Sequence, residues 1–200
     1  MTNILVITTS IFGAEGQSSQ LVKRMLDQLR QAHGEAHIVT RDLATEPVPH
    51  LDATRFAALI AGADDRNDEQ KRVVDYSDSL IQEIQDADII VLGVPMYNFG
   101  IPSALKAYFD HIARAGVTFR YTENGPVGLL EDRPVYVLAA RGGIYAGTPN
   151  DSQTPHVRSF LGLLGLKDVH FVYAEGLNMG DDRKTTALRE AGENMANLTA

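Results

Sequence analysis

The 200-residue chain contains no cysteine. Disulfides, thiolate nucleophiles and cysteine metal sites are therefore excluded, and the lack fits a reducing compartment. Positive charge is in deficit: 18 Lys and Arg stand against 26 Asp and Glu, for a formal net charge of −8. Nucleic acid and anionic membranes need a basic face to meet phosphate, so neither is expected as the main partner. No apolar run approaches a membrane span in length. The opening residues MTNILVITTS carry neither a basic region nor a signal-length apolar segment. The expectation is a soluble, cytoplasmic protein. Repeats, low-complexity tracts and evident linkers are missing as well, so residues 1–200 are expected to form one domain with a sizeable core.

What is present is a regular alternation. Five short apolar runs recur: Ile4–Thr8, His37–Leu43, Asp88–Val94, Pro134–Ala140 and Val169–Glu175. The first, third and fourth are nearly continuous in apolar residues, the pattern of strands buried on both faces of a parallel sheet. Helical spacing appears between them, over Gln20–His33, Asp68–Gln85, Ser103–Arg114, Thr154–Leu164 and Arg183–Leu198. This predicts a three-layer α/β domain with right-handed crossovers. The polar stretch Ala44–Asn67 is read as an excursion with a short helix around Asp52–Ala61. Phe119–Val127 carries the turn signal Glu123-Asn124-Gly125-Pro126 and is read as a small hairpin projecting beyond the fourth strand.

In such sheets ligands sit beyond the carboxyl ends of the strands. The first strand ends in TTSIFGAEGQSSQL, after which a helix begins near Ser18 or Ser19. A helix start offers free N–H groups and a positive dipole end to a phosphate, with Ser10, Gln17, Ser18 and Ser19 as further donors. Plain capping by Ser18 or Ser19 is the alternative. The loop has neither the Gly-Lys-Ser/Thr ending of a triphosphate loop nor a G-x-G-x-x-G pattern, so a mononucleotide fits better than a dinucleotide. The third strand ends in PMYNFGIPSALK, where Met96, Tyr97 and Phe99 can cover an aromatic ring system and Asn98 can meet its polar edge; each alone could equally be core. After the fourth strand comes ARGGIYAGTP, whose paired glycines allow backbone N–H groups close to a ligand. The alternative there is a simple turn with a solvated Arg141.

No side-chain catalytic set stands out. The six histidines, His33, His37, His50, His111, His156 and His170, show no paired metal spacing, and His111 reads as a packing or surface residue. There is no G-x-S-x-G elbow. Chemistry carried by a bound cofactor would account for this.

At PMYNF, ARAGVTFRYTENGP and RGG the sequence resembles the FMN-dependent NADH:quinone oxidoreductases, also called FMN-dependent NADH-azoreductases, across nearly its whole length. The resemblance implies a flavodoxin-like fold with strand order 2-1-3-4-5, noncovalent FMN and NADH as donor. It implies hydride transfer to FMN N5, then two-electron reduction of quinones or cleavage of azo compounds to amines, in ping-pong order and with no obligatory side-chain nucleophile. Ser10 and the Gly16, Gln17, Ser18 segment would hold the phosphate and ribityl chain. Met96, Tyr97, Asn98 and Phe99 would line the isoalloxazine, and Ala140, Arg141, Gly142 and Gly143 would close its pyrimidine side. A homodimer is implied, each active site finished by the other subunit, with Phe119, Tyr121 and Tyr145 on the substrate side. Ile60 and Leu163 would border that pocket. Two departures are Ala140, where family members often carry serine, and Gly16, where some do. A β-carbon at Gly142 is expected to push the flavin edge away. The rival readings are a flavodoxin-type electron carrier passing single electrons to proteins and a flavin-free module on the same fold.

Overall fold

A computed structural model describes residues 1–199. Five parallel strands form one sheet: β1 (Thr2–Thr8), β2 (Ala36–Asp42), β3 (Ile89–Pro95), β6 (Val135–Ala140) and β7 (Val169–Ala174), in the order β2-β1-β3-β6-β7. With the hairpin β4 (Phe119–Thr122) and β5 (Gly125–Gly128) set apart, this is the expected 2-1-3-4-5 order. The central strands β3 and β6 are buried at every position, which is why their runs are continuously apolar.

The helices are α1 (Gln17–His33), α2 (Ala53–Ile60), α3 (Asp68–Asp86), α4 (Ser103–Ile112), α5 (Gln153–Leu164) and α6 (Asp181–Leu198). Side chains alternate across a strand, so β1 serves two cores at once. Ile4 and Val6 join Leu21, Met25 and Leu29 of α1 and Met195 of α6. Leu5 and Ile7 face the other way, towards Leu80 of α3, Tyr108 and Phe109 of α4 and Leu161 of α5.

Local chemistry fixes the ends of the elements. Asp52 caps α2 by accepting the Arg55 N–H at 2.8 Å. Asn67 and Gln70 form a reciprocal capping box on α3. Arg133 donates to the Ile84 and Gln85 carbonyls at 2.6 and 2.9 Å, placing a cation at the carboxyl end of α3. The hairpin is tied to the far end of α5: the Leu130 N–H meets the Leu164 carbonyl at 3.0 Å. A β-carbon on Gly128 would lie 2.1 Å from the Gly165 nitrogen, so only glycine permits that crossing. Among the described residues no helix is long and apolar enough to cross a membrane.

Candidate functional site

The ends of β1, β3, β6 and β7 converge, and short bonds bind their loops together. The Ile11 N–H donates to the Tyr97 hydroxyl at 3.2 Å, joining the first loop to the second. The Met96 N–H donates to the Ala140 carbonyl at 2.9 Å, joining the second to the third. The Leu177 and Asn178 N–H groups bond the Arg141 and Gly142 carbonyls at 3.1 and 3.0 Å, joining the third to the fourth.

In the first loop, Gly16 is the residue before α1 and gives it no side-chain cap. The helix also has no acidic residue in its first turn. The first main-chain bond back to Gly16 comes from Gln20, at 3.0 Å, so the N–H groups of Gln17, Ser18 and Ser19 are free of backbone acceptors. Ser18 is buried, yet its hydroxyl has no partner, and the Gln17 side-chain oxygen is likewise unpartnered. A buried polar atom without a partner costs free energy unless a ligand satisfies it. Ser10, also buried, accepts the Phe12 N–H at 3.2 Å. A β-carbon on Gly16 would fall 2.0 Å from the Ser10 hydroxyl oxygen, so a serine at 16 would require Ser10 to turn away. These free amides and two serine hydroxyls suit a dianionic phosphate.

The second loop is a tight turn. Tyr97 and Gly100 exchange both backbone hydrogen bonds, at 3.1 and 3.0 Å, around Asn98 and Phe99. Both central residues have positive φ, 49° and 66°. Such hairpin turns need φ > 0 at both positions and normally use Asn-Gly, so a phenylalanine here is a strained choice. The effect is to hold the Phe99 ring out, 51% exposed. It meets Tyr145 of the third loop edge-on, centroids 5.4 Å apart.

In the third loop the N–H groups of Gly142, Gly143 and Ile144 find no acceptor among the described residues. A β-carbon on Gly142 would strike the Asn178 amide at 2.6 Å, and one on Gly143 the Tyr145 hydroxyl, also at 2.6 Å. A side chain at 142 would therefore displace Asn178 and the loop after β7, besides any push on a ligand edge. Arg141 is not solvated. Its guanidinium is fully buried, 3.0 Å from Asp151 and 3.0 Å from Glu175. Burial pushes the Asp151 carboxyl up, but bonds from Thr154 and Arg141 outweigh it and hold that carboxyl below its usual range.

Within one chain, Phe119 and Tyr121 stand apart from these loops. They line a groove of about 650 Å³ with Phe56 and Ile60 of α2 and Val117. Leu163 packs at the edge of the core. His111 is a buried packing residue, its Nδ1 3.1 Å from the Ala107 carbonyl, and burial lowers its pKa. Sequence reading missed Asp151, Gln153, Glu175 and Asn178, which support the loops from beneath and beside.

Fold and site together define a flavodoxin-like protein with a mononucleotide-shaped set of donors at its strand ends. The model of the flavodoxin-like fold family matches residues 2–198. An FMN-dependent NADH:quinone oxidoreductase of Cellvibrio japonicus (strain Ueda107) is 61% identical over 180 residues, 90% of either chain. Its namesake in Alcanivorax borkumensis is 59% identical over 189 residues, 94% of this chain and 96% of its own. Among solved structures, an FMN-dependent NADH-azoreductase from Bacillus anthracis str. Ames Ancestor, in complex with FMN, superposes with a TM-score of 0.87. It is 28% identical, with all of both chains covered. An azoreductase from Bacillus anthracis str. Sterne gives 0.90 at 29% identity, covering 100% of this chain and 99% of its own. The chain belongs to the flavodoxin-like family of FMN-dependent NADH:quinone oxidoreductases and NADH-azoreductases.

Proposed function

We propose that residues 1–200 act as a single FMN-binding domain that reduces quinones, and azo compounds to amines, with electrons from NADH. The observation that carries the assignment is the bare start of α1, with its free N–H groups and the buried, unpartnered Ser18 hydroxyl. Bound FMN supplies two-electron chemistry in two half-reactions, one with NADH and one with the acceptor. The chain itself binds and orients. Gln17, Ser18 and Ser19 amides, with the Ser10 and Ser18 hydroxyls, hold the phosphate. Met96, Tyr97, Asn98 and Phe99 cover the ring system. The Gly142, Gly143 and Ile144 N–H groups would offer fixed donors to the negative charge that grows on the cofactor when it is reduced, stabilising it without reorganisation. No side chain has to act as nucleophile, and protons come from solvent or the cofactor.

The same proposal includes a homodimer in the cytoplasm. Tyr121, 75% exposed, and Ile60, 68% exposed, lie on one apolar groove that a second subunit would cover. Phe119 and Tyr121 then complete the substrate side of the neighbouring site.

The test is anaerobic: saturate the protein with FMN, add NADH and follow the visible flavin band. Full bleaching reversed by benzoquinone is expected. Bound flavin that ignores NADH would point to an electron carrier instead, and absence of FMN binding would remove the site.

A further inference from the structure

We infer that Arg141 is a positioning residue: through Gln153 and Glu175 its buried guanidinium locks the loop after β3 and the loop after β6 into one unit. The chain of bonds is continuous. The Gln153 side-chain amide donates to the Pro95 carbonyl at 3.0 Å and reaches the Gly100 carbonyl at 3.4 Å. Its oxygen accepts from Arg141 Nε at 3.1 Å. Arg141 then donates to Glu175 at 3.0 Å, to Asp151 at 3.0 Å and to Thr154 at 2.8 Å. The same Glu175 oxygen takes the Tyr145 and Ala146 N–H groups, each at 2.9 Å. Arg141 also lies over the Tyr173 ring, 4.8 Å from its centroid. Gln153 is buried and the Arg141 side chain has no exposed surface.

Every link is made by a group with a fixed partner, in a water-poor setting where hydrogen bonds reinforce one another. Neither loop can shift without stretching a bond that leads to the other. One loop carries Phe99 and the other carries Tyr145, so the lock fixes how the two rings meet. It also fixes the direction of the free Gly142–Ile144 amides. The guanidinium faces two carboxylates, so the cluster carries one net negative charge beneath that loop.

The coupling rests on this geometry alone; its effect on the cofactor rests on the FMN reading above. The first test uses the apo-protein and amide hydrogen exchange. Gln153→Leu should speed exchange both at the Tyr97 and Gly100 amides and at the Tyr145 and Ala146 amides, although Gln153 makes no hydrogen bond to the second pair. Gln153→Glu keeps an acceptor for Arg141 but loses the amide donor. It should restore protection at Tyr145 and Ala146 and leave Tyr97 and Gly100 loose. Faster exchange confined to Tyr97 and Gly100 in Gln153→Leu, or no recovery at Tyr145 and Ala146 in Gln153→Glu, would overturn the proposal. The second test is the midpoint potential of bound FMN in Glu175→Gln, which keeps the shape and removes one negative charge. A less negative potential is expected, because electron-rich flavin is then less opposed. An unchanged potential removes the electrostatic part. Failure to bind FMN at all, with the exchange pattern as expected, would sink the FMN reading and leave the lock standing.

Discussion

At the start of α3, Asn67 Oδ1 takes the Gln70 N–H at 2.9 Å and Gln70 returns the bond at 3.0 Å. Asp68 and Glu69 add negative charge to that first turn. At the start of α1 the same place is held by Gly16, with no side chain to offer and no acid in the turn that follows. Both helices run down from the sheet's carboxyl edge, one on each face. In α3 the Gln70 amide and the N-cap amide of Asn67 are answered by side chains of the chain itself, whereas no side chain answers the first-turn amides of α1. An uncapped helix start costs roughly 1 kcal/mol, so leaving α1 open gives up stability where a ligand can return it.

The largest expected effect breaks this contrast from the ligand side. Riboflavin, which lacks the phosphate of FMN, should bind at least about 100-fold more weakly, near 2.7 kcal/mol. Equal affinities by flavin fluorescence would mean that the α1 end holds no phosphate. Next in size, Ser18→Ala should weaken FMN about tenfold, near 1.4 kcal/mol, while riboflavin affinity stays put. Its melting temperature without FMN should not fall, because the hydroxyl has no protein partner to lose. A clear drop in apo stability would mark Ser18 as a structural residue. Smallest is the mirror experiment: Asn67→Ala should cost about 1 kcal/mol of unfolding free energy in urea and leave FMN affinity unchanged. If FMN binding weakens instead, the two helix starts are not independent.

The same contrast explains what the sequence could reveal. Asn67 followed by Gln70 is a capping signature, and the expected start of α3 at Asp68 matches the structure. The start of α1 was expected nearer Ser18 or Ser19 because those residues cap well. They lie inside the helix instead, and the unassisted Gly16 begins it. The central strands were legible because burial on both faces leaves an unbroken apolar run. The loop motifs were legible because they stand directly after such strands, where ligands bind in an open α/β sheet. The Arg141 cluster was not. Its partners Asp151 and Glu175 lie 10 and 34 residues away, and nothing local distinguishes a buried arginine from a solvated one. Nor does spacing reveal that β-carbons at 142 and 143 would collide with Asn178 and Tyr145.

The Asn98–Phe99 turn sets a trap for anyone who would make this protein sturdier. Glycine at 99 suits the backbone better than phenylalanine, by an amount on the order of 1 kcal/mol. A search that scores only resistance to heat would accept that exchange early. It would also discard the one ring that the second loop holds out beside Tyr145. At this position, durability and usefulness choose different amino acids.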